Sequence, residues 1–408
     1  MPEFPQQPIG ERFSGFTHRL GFERAQRGWI GRRRREIATE LLMSPYAEAG
    51  AASPALGVDR PTHVVVVPQE GYAFESFKAG TRNFYFEAWR NLAEDLGESS
   101  VSIFNVDPGE APSLWHLRLL EYVQDVGATH IITHIESDPG SSGSTWTWDT
   151  AWGLLSSRWD GVLLGVMFDS AFEWIAAKSR LLARMSPRFM VVDICMPMDG
   201  SMVRGRPEVG PVNMPVSRES LALVEDRLDG VTPSFDVSFI GVMYPYRIGL
   251  VSRLRASGIS VAVNPHRPDQ AEDDTSSRLA QPSWLDYMAG LRSSRMTLNF
   301  SQSSAGRFEQ LKTRVLEATL AGTLLLTDDR DRTGRFWLQD EEFGYFKTAD
   351  DAAPVIATYL EDPVRLAAVA AAGRLRARSL AHTHFWGGIE QGLKRRELPT
   401  LGFGAPQD

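Results

Sequence analysis

Residues 296–329 of the chain read MTLNFSQSSAGRFEQLKTRVLEATLAGTLLLTDD. The stretch begins with a short apolar run at Met296–Phe300 and ends with a second one at Thr323–Thr327, each as long as a buried strand. Between the two runs, Thr313–Ala321 has the spacing of a helix and is followed by Gly322, a residue that commonly ends helices. Strand, helix and strand in this order predict a right-handed crossover between parallel strands.

The same alternation of strands and helices continues through the chain and restarts near residue 230. The further strand candidates are His63–Val67, Val101–Val106, Thr129–Ile135, Val162–Phe168, Phe189–Asp193, Ser234–Ile240 and Ile259–Val263. We therefore predict an α/β protein with two Rossmann-like, doubly wound domains that face a central cleft. The predicted division is a basic extension and linker at 1–58, a first domain at 59–232, and a second domain at 233–408 with a terminal helical segment. Ligands in such sheets bind outside the carboxyl ends of the strands.

The composition is that of a globular protein, since 43% of the 408 residues are hydrophobic and 23% are charged. The net charge of -8 argues against a nucleic-acid partner, which usually requires a basic surface. The longest apolar run, Gly161–Phe168, is too short to cross a bilayer, and the first residues show no secretory signal. The single cysteine, Cys195, suits a reducing compartment, and we interpret it as a small core residue rather than a reactive thiol. These features predict a cytoplasmic protein.

The helix predicted after Lys312 carries the clearest chemical pattern. Its amides and dipole favour an anion at the amino end, where Lys312 and Arg314 add two positive charges suited to a diphosphate. Glu317 lies one turn further along the helix, where its carboxylate can accept two hydroxyl hydrogen bonds from a ribose. Glu309, in the loop before the helix, can reach hydroxyls on the far side of the phosphates. This segment could therefore hold both ends of a sugar nucleotide.

Glu309 and Glu317 are separated by seven residues, and Leu316-Glu317-Ala318 is followed by Ala321-Gly322-Thr323 and an apolar strand. This pattern resembles the paired-glutamate signature of the group-1 retaining glycosyltransferases, which have the GT-B fold. The group-1 pattern has a glycine-rich loop after the first glutamate, where this chain has Gln310-Leu311-Lys312. The departure shifts phosphate contacts from backbone amides toward side-chain cations.

Residues 234–390 are similar to the CgeB-like, spore-maturation-type branch of these enzymes. The motifs that carry this resemblance are Phe239-Ile240-Gly241, Tyr244-Pro245-Tyr246-Arg247, Arg314 three residues before the helix glutamate, and His382-Thr383-His384-Phe385. The resemblance implies a donor site made of Gly241, Tyr244, Arg247, Lys312, Arg314 and Glu317. In that site Glu317 would hold the ribose, and Glu309, as a catalytic residue, would hold the transferred sugar. The three cations would neutralise the diphosphate, and Gly241 would allow close backbone approach.

The resemblance implies a hexosyltransferase-like glycosyltransferase that moves a sugar from a nucleotide-sugar donor to a hydroxyl of a glycan, lipid-linked or protein acceptor. It further implies a retaining outcome, a role in polysaccharide or glycoconjugate synthesis, and no cofactor. No Asp-x-Asp motif follows a predicted strand, and His382 and His384 lack a further ligand cluster, so we expect no metal. The alternative is a non-catalytic sugar-nucleotide-binding protein with the same fold. A GT-B epimerase or phosphorylase is a third hypothesis.

His134 and Asp169 each stand at the exit of a predicted strand of the first domain, on the side where ligands bind. As candidate catalytic residues, either could act as a general base or bind a sugar hydroxyl, and a structural role is the alternative for both. Five tryptophans are concentrated in the same half of the chain, at positions 146, 148, 152, 159 and 174. They could stack on a sugar in the cleft or fill the core.

Residues 12–35 combine arginines, including the run Arg32–Arg35, with aromatic residues such as Phe13 and Trp29. Such a segment could dock on an anionic membrane, here at the inner membrane face. The alternative is an arm that packs against the acidic body of the protein. Residues 44–60, rich in Ala, Pro, Gly and Ser, are typical of a linker.

Overall fold

The computed structural model describes residues 28, 31–39, 41, 60–68, 76–107, 109–135, 147–168, 173–194, 209–266, 283–302, 309–328, 330 and 332–403. Within them the chain forms two five-stranded parallel sheets, each with helices packed on both faces. The predicted α/β architecture with two Rossmann-like domains is confirmed.

The first sheet is built from the first half of the chain. Its strands are β1 (Val64–Val66), β2 (Val101–Ile103), β3 (His130–His134), β4 (Val162–Met167) and β5 (Phe189–Asp193), in the spatial order β2-β1-β3-β4-β5. Its surrounding helices are α1 (31–39), α2 (Phe84–Leu96), α3 (Pro112–Asp125), α4 (Thr147–Arg158) and α5 (Glu173–Met185). The register aligns Val65 with Ser102 on one side and with Ile131 on the other. Most strand residues are buried, which explains why these strands read as apolar runs without alternation.

The second sheet has the same topology. Its strands are β6 (Phe235–Phe239), β7 (Val261–Val263), β8 (Ser294–Asn299), β9 (Leu324–Thr327) and β10 (Gly344–Tyr345), in the order β10-β9-β8-β6-β7. Its helices are α6 (Arg218–Leu228), α7 (Pro245–Ala256), α8 (Trp284–Arg292), α9 (Thr313–Leu320), α10 (Ala349–Glu361) and α11 (Pro363–Arg395). In each sheet the strand that comes first in the chain, β1 or β6, lies between the next two strands in the chain. The direction of winding therefore reverses beside this first strand. Ligand sites in such sheets lie at this switch point.

Local sequence signals set where several helices begin. The Asn83 side chain accepts the backbone N–H groups of Tyr85 and Phe86 at the start of α2. Helix α7 begins with Pro245, whose fixed backbone angle suits the first helical position. Thr348 starts α10 with a reciprocal capping box to Asp351. The residue at each of these three starts therefore has a structural reason that is independent of any ligand.

Helix α11 connects the two domains. Ala377 and Ala381 pack in the core of the second domain, whereas Phe385 and the residues after it pack in the core of the first. The second domain was predicted to span residues 233–408. The last part of α11, from Phe385 onward, instead packs on the first sheet, because its apolar face complements that core. His382 and His384 lie inside this continuous helix.

Helix α1 packs on the first domain through two of its residues. Ile37 is buried, and Arg33 forms a bidentate ion pair with Asp149 of α4 at 2.9 Å and 3.1 Å. Arg32, Arg34 and Arg35 are exposed. This part of the basic segment therefore packs on the first domain through Arg33 and Ile37, and contact of its exposed arginines with a membrane stays a prediction. The rest of the segment, apart from Gly28, lies outside the described residues.

The tryptophan cluster belongs mostly to the core. Trp148, Trp152 and Trp159 are buried beneath the first sheet, so these three do not face the cleft. Trp146 lies outside the described residues, as does the side chain of Trp174. Cys195 is also outside them.

Candidate active site

The candidate site lies at the carboxyl edge of the second sheet, on both sides of the switch point between β6 and β8. Gly241 comes two residues after the end of β6, and Asn264 directly follows β7. Ser301 comes two residues after the end of β8, and Asp328 directly follows β9. Parallel strands place all of these residues at one edge.

Two guanidinium groups dominate this edge. The guanidinium carbons of Arg314 and Arg247 lie 4.8 Å and 5.4 Å from the ring centre of Phe239, the last residue of β6. Burial, followed by the neighbouring charge of Arg314, lowers the pKa of Arg247. Two cations held side by side and partly dehydrated form a site that favours a polyvalent anion.

Arg247 is fixed by its own turn. It is buried, its Nε donates to the Tyr246 hydroxyl at 2.8 Å, and its Nη1 donates to the Val242 carbonyl at 2.8 Å. Its guanidinium also lies 4.8 Å from the ring centre of Tyr244. The Tyr246 hydroxyl in turn donates to the Gln302 carbonyl at 2.8 Å. The Tyr-Pro-x-Arg turn is thus attached to the segment after β8.

Arg314 is less constrained. Its Nε and Nη1 are buried and have no hydrogen-bond partner among the residues that the structure describes. Within the same residues, neither Arg314 nor Arg247 has a carboxylate partner. A buried guanidinium nitrogen without an acceptor is costly, and a phosphate oxygen would supply that acceptor.

Gly241 makes room for Arg314. A Cβ atom at Gly241 would lie 2.3 Å from Nη2 of Arg314, and the residue has φ 144°, which favours glycine. Its N–H donates to Oδ1 of Asn264 at 2.8 Å, and its carbonyl accepts from Nδ2 of Asn264 at 3.2 Å. The close approach predicted for Gly241 therefore involves the Arg314 side chain, and its amide is already engaged.

Glu317 is buried and receives three hydrogen bonds. Its Oε1 accepts from Nε of Arg82 and from Nε1 of Trp284, both at 3.3 Å, and its Oε2 accepts from the Tyr287 hydroxyl at 3.1 Å. Burial and the Glu317 carboxylate raise the pKa of Tyr287 well above its usual value, while the charge of Arg314 opposes this rise. Tyr287 therefore lies between the candidate ribose acceptor and the arginine pair.

Glu309 has a different setting. Its Oε2 accepts from the Ser301 hydroxyl at 3.0 Å, and its Oε1 lies 3.5 Å from the Arg330 guanidinium. The same Ser301 hydroxyl lies 2.5 Å from Asp328, although it has only one proton to donate. Burial, and the nearby Glu309 charge, raise the pKa of Asp328. The structure thus adds Ser301 and Asp328 to the surroundings of Glu309.

Lys312 directly precedes the first residue of α9, as the sequence predicts. Its Nζ donates to Oε1 of Gln310 at 2.9 Å, and the residue is partly exposed. No side chain hydrogen-bonds to the first amides of α9 among the described residues. The helix start therefore remains suited to an anion.

One of the two candidate residues of the first domain lies within the part of the chain that the structure describes. His134 ends β3, is nearly buried, and its ring contacts Phe168 edge-on at 4.9 Å. Asp169 lies outside the described residues. A catalytic role for either residue stays a prediction.

Sequence reasoning missed the partners of Glu317 and Gly241. Arg82, Trp284 and Tyr287 come from elements far from Glu317 in the chain, and no local pattern points to them. Asn264 could have been found, because a polar residue directly after a predicted strand is a signal for a site. Ser301, two residues after β8, carries the same kind of signal.

Residues 252–386 match a family model described as Glycosyl transferase-like. The match includes Glu309, Arg314 and Glu317 but not Gly241 or Arg247, and it covers less than half of the chain. This part of the chain is therefore similar to glycosyltransferases. No curated protein matches the sequence.

Solved structures with similar folds include the following three proteins. A protein of Anabaena, HepE in complex with UDP and glucose, has a TM-score of 0.43 and 10% identity, with 82% of this chain and 100% of that chain covered. Sucrose-phosphate synthase from Thermosynechococcus elongatus has a TM-score of 0.44 and 12% identity, with 82% and 98% covered. The avilamycin A glycosyltransferase AviGT4 has a TM-score of 0.42 and 15% identity, with 83% and 98% covered. Similarity this loose says nothing about the activity of this chain.

Two further features are absent from the described residues. No helix among them is long and apolar enough to cross a membrane. No three His, Cys, Asp or Glu side chains among them lie close enough together to hold a metal ion.

Proposed function

We propose that the protein is a glycosyltransferase that moves a sugar from a nucleotide-sugar donor to a hydroxyl acceptor. One observation carries this proposal: the Arg247 and Arg314 guanidinium groups share the Phe239 ring and have no carboxylate partner among the described residues. They lie at the switch point of the second sheet, where a diphosphate would be expected. The buried carboxylate of Glu317, one turn along α9 from Arg314, suits the ribose end of such a donor.

The reaction needs positioning and charge stabilisation more than covalent chemistry from the protein. The bond between the sugar carbon and the diphosphate oxygen breaks, a bond from that carbon to the acceptor oxygen forms, and the acceptor proton passes to a general base. Negative charge develops on the departing diphosphate, where Arg247 and Arg314 would stabilise it. Glu309 would bind the transferred sugar, and the retaining outcome remains part of this proposal.

Metal independence is a second part of the proposal. Two fixed cations can neutralise a diphosphate in the way that a divalent metal does in other enzymes. We expect turnover in the presence of EDTA to stay within about twofold of turnover in its absence, because the two arginines take the role of the metal. Full loss in EDTA with recovery in Mn²⁺ would contradict this part alone.

The acceptor side is assigned to the first domain. His134 and Asp169 stay as candidate general bases, and the acceptor is a glycan, a lipid-linked molecule or a protein in surface polysaccharide or glycoconjugate synthesis. The CgeB-like branch is the assignment that the motifs favour, since Gly241, Arg247 and Arg314, which carry that resemblance, lie together in space. Cytoplasmic location is part of the same proposal.

Contact with a membrane would use the exposed side of α1. Arg32, Arg34 and Arg35 face solvent and could bind anionic lipid, with each arginine contributing about 1 kcal/mol near the surface. Replacing these three residues with Gln should abolish sedimentation with anionic liposomes at low salt. Retention of sedimentation in that variant would exclude this surface.

The proposal is tested by binding and turnover together. Titration calorimetry with UDP-, GDP-, dTDP- and CMP-sugars identifies the donor base, and release of nucleoside diphosphate in the presence and absence of acceptors measures turnover. Binding with turnover supports a glycosyltransferase. Tight binding with no transfer and no hydrolysis would favour the non-catalytic sugar-nucleotide-binding protein.

A further inference from the structure

Arg82 of the first domain reaches across to Glu317 of the second. Its Nε donates to Oε1 of Glu317 at 3.3 Å, and the two side chains are only 10% and 7% exposed. Its Nη1 donates to the Pro215 carbonyl at 2.6 Å, and its Nη2 donates to the Met214 carbonyl at 3.4 Å. The guanidinium also lies 5.3 Å from the ring centre of Trp284. Arg82 thus connects the candidate ribose acceptor to the segment that joins the two domains.

The number of acceptor positions on Glu317 is limited. An ionised carboxylate offers about four hydrogen-bonding positions, two on each oxygen. Arg82 and Trp284 occupy both positions of Oε1, and Tyr287 occupies one position of Oε2. One position remains, on Oε2. The sequence alone suggested that this carboxylate could accept two ribose hydroxyls.

We propose that Arg82 is a specificity-determining residue of the donor pocket, which restricts Glu317 to a single ribose hydroxyl by occupying Oε1 together with Trp284. The inference rests on the proposed function, since its ligand is a nucleoside diphosphate. The two ribose hydroxyls are then unequal: one is bound by Oε2 of Glu317, and the other is not bound by this carboxylate.

Displacement of Arg82 by the ligand is unfavourable for two reasons. Its departure would leave the buried Glu317 without its cation, and a lone buried charge costs more than its partnered form. It would also remove the donors to the Met214 and Pro215 carbonyls. A neutral ribose hydroxyl replaces neither the charge nor these two hydrogen bonds. Arg82 therefore stays on Oε1 when the nucleotide binds.

The first experiment compares deoxynucleotides. Calorimetry with UDP, 2′-deoxy-UDP and 3′-deoxy-UDP should show that one deoxy form binds about tenfold or more weakly, whereas the other stays within about threefold of UDP. GDP and ADP with their deoxy forms are used if UDP does not bind. Equal losses for the two deoxy forms would overturn the inference. If the wild-type protein binds none of UDP, GDP and ADP, this inference is overturned; if it also binds no dTDP-sugar and no CMP-sugar, the proposed function is overturned with it.

The second experiment removes the donors to Oε1. In Arg82→Leu the vacated position can accept the second hydroxyl, so the affinity ratio between the two deoxy forms should fall to within about threefold. Arg90→Leu is the matched control, because Arg90 also connects the two domains, in this case α2 with α6 through Glu219 at 2.9 Å, without contacting Glu317. In Arg90→Leu the affinity ratio between the two deoxy forms should equal that of the wild-type protein.

Trp284→Phe gives an independent readout if Arg82→Leu does not fold. It vacates the other position on Oε1 without disturbing the hydrogen bonds to Met214 and Pro215. The affinity ratio between the two deoxy forms should again fall to within about threefold. An unchanged ratio in a folded Arg82→Leu or Trp284→Phe variant would show that Oε1 does not set hydroxyl recognition, because a purely structural role of Arg82 would alter all affinities in parallel.

Discussion

Near the carboxyl edge of each sheet an arginine lies over an aromatic ring, and the two arginines differ in whether a carboxylate pairs with them. Arg118 lies 4.5 Å from the ring centre of Phe104, which directly follows β2. Arg314 lies 4.8 Å from the ring centre of Phe239, which ends β6. Arg118 is paired with the Glu110 carboxylate, and this hydrogen-bonded ion pair lowers the pKa of Glu110.

The difference separates a structural cation from a candidate ligand-binding one. Arg118 is neutralised within the fold and 42% exposed, so it needs no ligand. Arg314 has two buried nitrogens without a partner among the described residues and lies beside a second cation, Arg247. An aromatic ring under an arginine is therefore no signal for a site, whereas the lack of a carboxylate partner is.

The largest expected effect is on nucleotide binding. Arg314→Leu removes a charged donor worth roughly 1.5–3 kcal/mol, so affinity for the bound nucleoside diphosphate should fall roughly 10- to 100-fold. Arg118→Leu should change the affinity by less than about twofold, since it removes a surface ion pair remote from the second sheet. Calorimetry on both variants makes the comparison. Equal losses in the two variants would remove the distinction between the two arginines.

The next effect concerns the stability of the first domain. Burial lowers the pKa of His130 from 6.5 to about 4, and its Nε2 donates to the Pro399 carbonyl at 2.9 Å. Because the folded pKa is lowered, this contribution to stability is complete above pH 6.5 and is lost as the pH falls toward 4. Between pH 7.5 and 5, the loss from this residue is about 2 kcal/mol.

Urea unfolding of wild-type protein and His130→Gln at these two pH values measures that contribution. The variant should lose about 2 kcal/mol less on acidification than the wild type, since glutamine does not titrate. Nucleotide affinity at pH 7.5 should be the same for both proteins. An identical pH dependence of unfolding would contradict the neutral buried state of His130.

A third effect tests whether the position of the Arg314 guanidinium over the Phe239 ring matters for binding. Gly241→Ala places a Cβ 2.3 Å from Nη2 of Arg314 at a backbone φ of 144°, so the guanidinium must move from the Phe239 ring. We expect nucleotide affinity to fall about tenfold, less than on removal of the arginine. Gly249→Ala is the matched control, because its added Cβ meets no atom within 4 Å apart from the backbone of its own helix and its chain neighbours. A tenfold loss in the control as well would contradict this explanation.

The sequence predicted the fold well where one strand or helix is determined by its own residues. The bounds of β5 were predicted as observed, and those of β9 differ by one residue, because buried parallel strands are uninterrupted apolar runs. The continuity of helix α11 was not predicted, since its apolar face turns from the second core to the first between Ala381 and Phe385. That change depends on tertiary packing, which no local pattern contains.

The candidate site was predicted only where its residues lie close together in the chain. Arg314 and Glu317 share one helix, so helical spacing was enough to bring them to one edge. The partners of Glu317 were not predicted: Tyr287 is 30 residues away and Arg82 is 235 residues away in the chain. Their contact depends on how α8 and the first domain pack, and this also explains why the number of available acceptor positions could not be derived from the sequence.

The smallest expected effect concerns Asn264, which supports Arg314 only through Gly241. Its side chain makes two hydrogen bonds to the Gly241 backbone, at 2.8 Å and 3.2 Å, and its own φ is 45°. Alanine would add backbone strain at this φ, so Asn264→Gly is the variant that removes only the side chain. The Gly241 turn then loosens while Arg247 and Arg314 remain, and nucleotide affinity should fall by roughly threefold, the size of one modest hydrogen bond. In an Asn264→Gly/Arg314→Leu double variant the loss should not exceed that of Arg314→Leu alone, because Asn264 acts through the arginine. Additive losses in calorimetry would instead indicate that Asn264 contacts the nucleotide itself.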